Sequence, residues 1–504
     1  MSERRIASLI FVSLLLTYLY IFPHWLDWNQ NSRFDLTAAI VERGELSIDA
    51  YVANTGDYAE SNGRAYSDKT PGLSSLAVPV YALTHKLAEN QAVQTAITTL
   101  GRSPAAAATV NRPIDQVSDQ EFAFAASMAL ATLVTVALPS AFLGVLIYGL
   151  LGRMGYSRRV RALAVLVYAV ATPAFAYSAA FYGHQPAAIM LFAAFAWIYT
   201  LRRRQPGKLE LLALGVLLGY TIVTELPAAP LVVLLGLYAI WVIRRPGPIV
   251  LMSIGGFLPL AVMGAYHNAI FGTPFTLAYQ HLVNPVWKER FSVGVLSANS
   301  FQLEFLWGLT FSPYRGLFFA APVLLAAVVG FGLLARQADK RAEWLVSLAI
   351  VVGLLFIYSS SPEWFGGYGV ASRYLVPMLP FLVWPLAAVF DRIERERAPV
   401  RRGLSGLIFV LVLASIFVTW SLTVGGQYYA PEDIANPLFD YTWQHIAAGD
   451  VARNWGMIMG LPGAWSLLPL LGLVAATFGA IWFFTRERGK HSSSPATGPG
   501  DRRM

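Results

Sequence analysis

Tyr66-Ser67-Asp68-Lys69-Thr70-Pro71-Gly72 is the stretch from which the rest of this chain is best read. It lies in a polar segment, residues 23–120, that directly follows the first long apolar run. One lysine stands there among carboxylates, just before a Pro-Gly step. Around that segment the chain is largely apolar. Of 504 residues, 56% are hydrophobic and 13% charged, and the mean hydropathy is +0.53. A soluble domain of this size needs far more polar surface, so the fold class is an all-α polytopic membrane protein. Cysteine is absent, which excludes disulfides, thiol catalysis and thiolate metal sites.

A spanning helix needs about 20 apolar residues. Windows of that length give a bundle of about twelve transmembrane helices, at 6–22, 121–151, 161–180, 186–201, 210–224, 226–243, 249–270, 317–335, 344–360, 375–390, 404–424 and 464–485. An even count puts both termini on one side. That side collects 25 of the 37 basic residues but only 9 of the 29 acidic ones, in short loops. Positive loops stay in the cytoplasm, so both termini are expected there, in the inner (plasma) membrane of a bacterium. The net charge of +8 is thus sorted by membrane side and does not point to nucleic acid. Phe22-Pro23-His24-Trp25 offers no small-residue cleavage site, so the first apolar run reads as a retained anchor. Residues 1–488 read as one integral membrane domain, and 489–504, polar and Pro/Gly-rich, as a disordered cytoplasmic tail.

The opposite, outer face carries the chemistry-bearing residues. In 33–43, Phe34, Ala38 and Val41 fall on one side and Asp35, Glu42 and Arg43 on another, with Gly44 as the stop. This predicts an amphipathic helix on the membrane surface. Residues 73–88 predict a second one, begun by Pro71-Gly72. Between them run Asp49, Asp57, Glu60, Arg64 and Lys69; residues 90–118 show no period to assign. Later outer loops hold His184, Glu225, the block Phe311-Ser312-Pro313-Tyr314-Arg315-Gly316, and the block Trp364-Phe365-Gly366-Gly367 to Ser372-Arg373-Tyr374. Lys69, Arg315 and Arg373 sit at helix mouths or beside Gly/Pro turns. Singly, such residues anchor headgroups about as often as they bind substrate. Three on one face favour an anionic substrate group, and phosphate suits both the arginine fork and the lysine point charge.

A sugar carried on a polyprenyl phosphate would use these parts. Its tail stays in the bilayer while the phosphate reaches the water boundary. Cations stabilise the departing phosphate, and a carboxylate takes the proton of the attacking hydroxyl. Asp35, Asp49 and Asp57 are candidates for that base. For any one of them, simple solvation of an outer loop is an equal alternative.

The first apolar helix, the Arg33-Phe34 helix and then Tyr66 to Gly72 resemble the first outer loop of GT-C glycosyltransferases. The pattern is similar to protein O-mannosyltransferases and lipid A aminoarabinose transferases, where a Tyr-Phe-Glu-Lys-Pro-Pro run takes this place. The blocks at Phe311 and Trp364 also resemble bacterial members of that superfamily. The resemblance covers the helix order over most of the chain, on short motifs. It implies a GT-C-like bundle, Lys69 on the lipid phosphate, and an acidic base near the start of the first surface helix; Arg33, Tyr66, Arg315, Arg373 and Tyr374 are further candidates for binding the phosphate or substrate. Asn29-Gln30-Asn31-Ser32 replaces the acidic pair common there, which leaves the base open among Asp35, Asp27, Asp49 and Asp57. His184 stands where relatives carry a second acidic residue.

The expected function is therefore transfer of a hexosyl or pentosyl group from a polyprenyl-phosphate carrier to a glycan, lipid or protein acceptor on the extracytoplasmic face. No His/Asp/Glu cluster with metal-ligand spacing is present; a divalent cation remains compatible with the chemistry. A flippase of lipid-linked saccharides would favour repeated halves and charges at mid-membrane. Neither is seen, Glu225 being the nearest exception. An oligosaccharide polymerase or ligase would place its large outer loop late in the chain.

Overall fold

A computed structural model describes residues 2–24, 27–101, 118–291 and 297–485. The tail expected at 489–504 lies outside them, as does most of 102–118. Among the described residues the regular structure is helical apart from one two-stranded hairpin. Each of the twelve apolar windows falls on helix. Eight helical segments are long and apolar enough to cross a membrane: Asp119–Arg153, His184–Leu201, Leu226–Ile243, Pro246–Phe271, Ala338–Tyr358, Arg373–Glu394, Ala398–Val424 and Gly463–Thr485. The remaining four windows are shorter, on Glu3–Tyr18, Arg158–Val170, Lys208–Thr224 and Pro322–Leu334.

Burial sorts these helices into a centre and a rim. Arg373–Glu394 has 89% of its apolar window covered and His184–Leu201 72%, against 17% for Pro246–Phe271 and 22% for Gly463–Thr485. An apolar helix covered all round is a bundle core; one with bare apolar sides faces lipid. The two ends of the described chain lie at one end of the bundle. Glu3 accepts from Arg158 Nε at 2.6 Å and Arg161 Nη2 at 2.9 Å, while the Arg159 guanidinium lies 3.6 Å over the Trp482 ring. The site described below sits at the opposite end.

Between helices, small residues let backbones touch. The Lys208–Thr224 and Pro246–Phe271 helices meet through Gly215, Gly219 and Gly255. A β-carbon on Gly215 would lie 1.9 Å from Met252 O, and one on Gly219 2.1 Å from Gly256 O. This is the small-xxx-small contact of membrane helices, driven by packing rather than by expulsion of water.

The first outer segment departs from the sequence expectation in one respect. Its first helix begins at Trp28, capped by Asp27, whose Oδ1 accepts from Asn29 N at 2.9 Å. It runs through Ala38 into a π-helical turn, Ala39–Arg43, and ends at Gly44 with φ +65°. Residues 29–38 are buried on every side, so this helix does not lie on the surface with one face free. The Gly72–Ala88 helix roofs it: Ser74 Oγ donates to Arg33 O at 2.7 Å and Thr37 Oγ1 to Ser74 O at 3.1 Å. That second helix does keep one buried side (Leu73, Ala77, Tyr81) and one bare side (Leu76, Leu83, Leu87). The unassigned stretch after it forms a helix over Gln91–Gly101. Substituting Gly215→Leu is expected to force the two helices apart, an overpacking penalty of about 1–3 kcal/mol. It should lower the apparent unfolding temperature in detergent; an unchanged transition would contradict the backbone contact.

Candidate active site

A hairpin builds the centre of the site. Tyr58–Ser61 pairs antiparallel with Arg64–Ser67, Tyr58 opposite Ser67 and Ser61 opposite Arg64. Asn62 and Gly63 turn it, with φ +52° and +72°, the signature of the two-residue turn that matches strand twist. Asp57 precedes the first strand and Asp68-Lys69 follow the second. The open end of the hairpin therefore brings Asp57 beside Lys69. Lys69 Nζ lies 2.7 Å from Asp68 Oδ2 and 2.9 Å from Asp57 Oδ2. All three side chains are nearly covered, at 11, 3 and 12% exposure for Lys69, Asp68 and Asp57. Burial alone would lower the lysine pKa, but the charges of Asp57 and Asp68 outweigh it and hold the pKa above its ordinary value. Burial raises Asp68, against the pull of Lys69.

These groups line a cavity of about 340 Å³ at this end of the bundle. Its charged wall is Asp27, Asp57, Asp68, Lys69, Glu363, Arg373 and Glu432; its aromatic wall is Trp28, Trp287, Phe291, Tyr368, Tyr374, Tyr428 and Tyr429. Four distant parts of the chain converge here. The Arg373 guanidinium sits 5.4 Å from the Tyr182 ring centre and 5.5 Å from that of Tyr374, and Nη1 donates to Tyr368 O at 3.2 Å. Tyr374 stacks on Tyr358 at 4.4 Å with an interplanar angle of 2°. Asp27 takes a hydrogen bond from Tyr182 Oη, and burial raises its pKa. Glu363 is held by Arg290 Nη1 at 2.9 Å. His24 Nδ1 bonds to Gln427 O at 2.7 Å and ties the segment after Ala398–Val424 to this wall.

Behind Lys69 lies a second buried cluster. Arg33 Nη2 is 3.4 Å from Glu225 Oε2, and His184 Nδ1 is 3.3 Å from the same oxygen. The His184 ring stacks near Tyr182 and meets Tyr374 edge-on at 5.6 Å. Burial raises the Glu225 pKa against the pull of Arg33 and Arg373.

Of the residues singled out from sequence, Asp57, Lys69, Arg373, Tyr374 and Asp27 line the cavity. Arg33 and His184 stand behind it on Glu225. The others do not reach it. Asp49 is half-exposed and holds the hairpin flank, bonding Arg64 Nε at 3.0 Å. Tyr66 packs toward Phe271, with ring centres 6.4 Å apart. Arg315 is buried and donates to Gly369 O and Gly367 O. Asp35 is fully buried; its Oδ1 accepts from Asn54 Nδ2 at 3.0 Å and its Oδ2 has no partner. Asp35 is thus set apart from Lys69 because helical geometry points it to the far side of Arg33, under the loop at Asn54. Asp68, Glu225, Glu363 and Glu432 were not assigned from sequence. Asp68 stood inside the quoted stretch, and Glu225 was the one acid beside an apolar break. Among the described residues no group of three His, Asp or Glu side chains has the arrangement of a metal site. The ammonium of Lys69 occupies the place between Asp57 and Asp68.

No protein-family model and no curated protein sequence matches the chain. A solved structure does: ArnT from Cupriavidus metallidurans in the apo state, with a TM-score of 0.50 at 15% identity over 96% of this chain and 76% of that one. The likeness is one of fold. ArnT bound to undecaprenyl phosphate aligns at a TM-score of 0.47 and 14% identity, over 96% of this chain and 75% of that one.

The position of Asp35 has a pH signature. Burial, only partly offset by Asn54, raises its pKa from 3.8 to about 8. The folded state therefore keeps a proton that the unfolded chain releases, and stability falls as pH rises from about 4 to about 8. Asp35→Asn removes this ionisation. Its unfolding temperature relative to the wild type should rise steadily from pH 4 to pH 8; a constant difference would show that Asp35 does not titrate in this window.

Proposed function

We propose that this chain is a GT-C glycosyltransferase of the bacterial inner membrane. It takes a sugar from a polyprenyl-phosphate carrier and places it on an acceptor hydroxyl at the extracytoplasmic face. The observation that carries the reading is the buried Lys69–Asp57 contact inside a cavity that also presents Arg373. An ammonium and a guanidinium on one wall suit a phosphate; a carboxylate beside them suits a hydroxyl proton.

In this reading Lys69 and Arg373 hold the lipid phosphate and stabilise the charge it gains as it leaves. Lys69 has three N–H donors, two of which face Asp57 and Asp68, and the third is available to the phosphate. Asp57 is the base. Asp68 is less suited, since Ser32 Oγ also donates to it, at 3.2 Å. The acceptor oxygen bonds to the anomeric carbon as the bond from that carbon to the phosphate oxygen breaks. The electron pair of the broken bond stays on the lipid phosphate, and the hydroxyl proton passes to Asp57. A single displacement inverts the anomeric centre, through an oxocarbenium-like transition state. Arg33, Glu225 and His184 support Lys69 and Tyr374 from behind. The aromatic wall gives apolar faces for sugar rings while keeping polar edges wet.

The test is release of undecaprenyl phosphate from a panel of undecaprenyl-phosphate hexoses and pentoses by the purified protein. Asp57→Asn is expected to reduce turnover by about 10²–10⁴-fold, the usual contribution of a positioned base. Lys69→Ala should abolish it, and Asp49→Asn should leave it near the wild-type rate. Wild-type turnover in Lys69→Ala would refute the assignment. Counterflow in vesicles without carrier release would favour a flippase instead.

A further inference from the structure

Two outer segments supply most of the cavity wall opposite Lys69: residues 361–374, with Arg373, and residues 425–463, with Glu432. The helices Arg373–Glu394 and Ala398–Val424 separate them in the chain, yet both are held by Ser312-Pro313-Tyr314-Arg315. Arg315 Nη1 donates to Gly369 O at 2.9 Å and Nη2 to Gly367 O at 2.7 Å. Tyr314 Oη donates to Glu432 O at 2.7 Å. The Arg315 guanidinium lies 4.5 Å from the centre of the Tyr314 ring, so the two arms stack as a unit.

The Arg315 arm is costly in itself. Its side chain is 1% exposed and among the described residues it makes no ion pair. Taking a guanidinium out of water is expensive unless its donors are matched; two carbonyls set side by side take its two terminal nitrogens, while its buried Nε has no partner among the described residues. The loop it grips is bent to fit. Gly366, Gly367 and Ala371 have φ of +73°, +65° and +49°, the last a strained value for a residue with a side chain. From the other side Tyr177 Oη accepts from Val370 N at 3.0 Å and donates to Val370 O at 3.1 Å. A β-carbon on Gly369 would lie 2.6 Å from that hydroxyl oxygen. Two residues after Ala371 the chain delivers Arg373 to the cavity.

We propose that Tyr314 and Arg315 are positioning residues: a two-armed clamp that fixes the Arg373 wall of the cavity against the Glu432 wall. The proposal rests on the reading above in that Arg373 is taken to hold the phosphate. Arg315 does not meet that phosphate and acts through Arg373.

The experiment uses the full chain in detergent with two readouts. Hydrogen exchange is followed in peptides covering 366–372 and 428–434, and affinity is measured for undecaprenyl phosphate. Arg315→Met should speed exchange at 366–372, and Tyr314→Phe at 428–434, with exchange in the central helices unchanged. Arg315→Met should also weaken undecaprenyl phosphate binding on the order of tenfold, and Arg315→Lys, which keeps the charge and loses the fork, should recover part of it. In an Arg373→Ala background Arg315→Met should cost nothing more, because residues acting through one group are not additive. Unchanged exchange at 366–372 would overturn the clamp. Multiplicative losses in the double variant would overturn action through Arg373. If the wild type does not bind undecaprenyl phosphate, the phosphate reading falls and exchange alone decides the clamp. Should Arg315→Met fail to fold, Arg315→Lys and Tyr314→Phe carry the same comparison.

Discussion

One amine between two carboxylates organises the candidate site. With Lys69 Nζ at 2.7 Å from Asp68 and 2.9 Å from Asp57, three charges are buried together, and none is tolerable there alone. Breaking a buried pair by removing one partner costs about 3–5 kcal/mol, mostly because the other charge is stranded. The hairpin turned by Asn62-Gly63 makes the contact possible by closing residues 57 and 69 onto each other. Its strands are too short to be stable alone. They are held by the buried helix beneath: Ser32 Oγ bonds Ser67 Oγ at 2.9 Å and Asn31 Nδ2 donates to Asn54 O at 2.8 Å.

Rigidity comes from below. The Gly72–Ala88 helix that follows Lys69 starts against the end of Lys208–Thr224, where a β-carbon on Gly72 would lie 2.6 Å from Thr224 backbone. Thr70 Oγ1 donates to Thr224 O at 2.9 Å. The next residue, Glu225, then receives Arg33 and His184. So the loop that bears the lysine is fixed to the top of a packed helix pair, while Arg373 opens the most buried helix of the bundle. Arg373 is thus placed by bundle packing, and Lys69 and Asp57 by a loop that the bundle supports. Such preorganisation is what electrostatic catalysis requires, since charges already in place need no reorganisation as the bond breaks.

Much of this was legible in the sequence, and the reasons for the failures are physical. Helix positions follow from apolar length, because a bilayer forbids other solutions. Lys69 and Arg373 stand out in the sequence because they share one acidic face with a third cation beside Gly/Pro turns, and both line the cavity. The sequence does not separate Asp57 from Asp27, Asp35 and Asp49, since a register cannot be read from charges alone. The pair Asn62-Gly63 was the missed signal: read as a two-residue turn, it places Asp57 and Lys69 at the same end. Asp35 is not legible as a buried residue, because the amphipathic pattern of 33–43 predicts a surface helix whereas the Asp27 cap starts the helix earlier and residues 29–38 are buried all round. Arg315 looked like a phosphate ligand from its Pro-Tyr-Arg-Gly setting. Only contacts far apart in sequence reveal that its fork serves the carbonyls of Gly367 and Gly369.

The central claim is that the lysine and the Arg373 guanidinium share one anion, with Asp57 facing it. A structure of the full chain with undecaprenyl phosphate bound tests this most directly. Phosphate oxygens are expected within hydrogen-bond reach of both Lys69 Nζ and Arg373, with the Asp57 carboxylate on the open side of the cavity. Phosphate bound elsewhere, with Lys69 still closed onto Asp57 and Asp68, would contradict it.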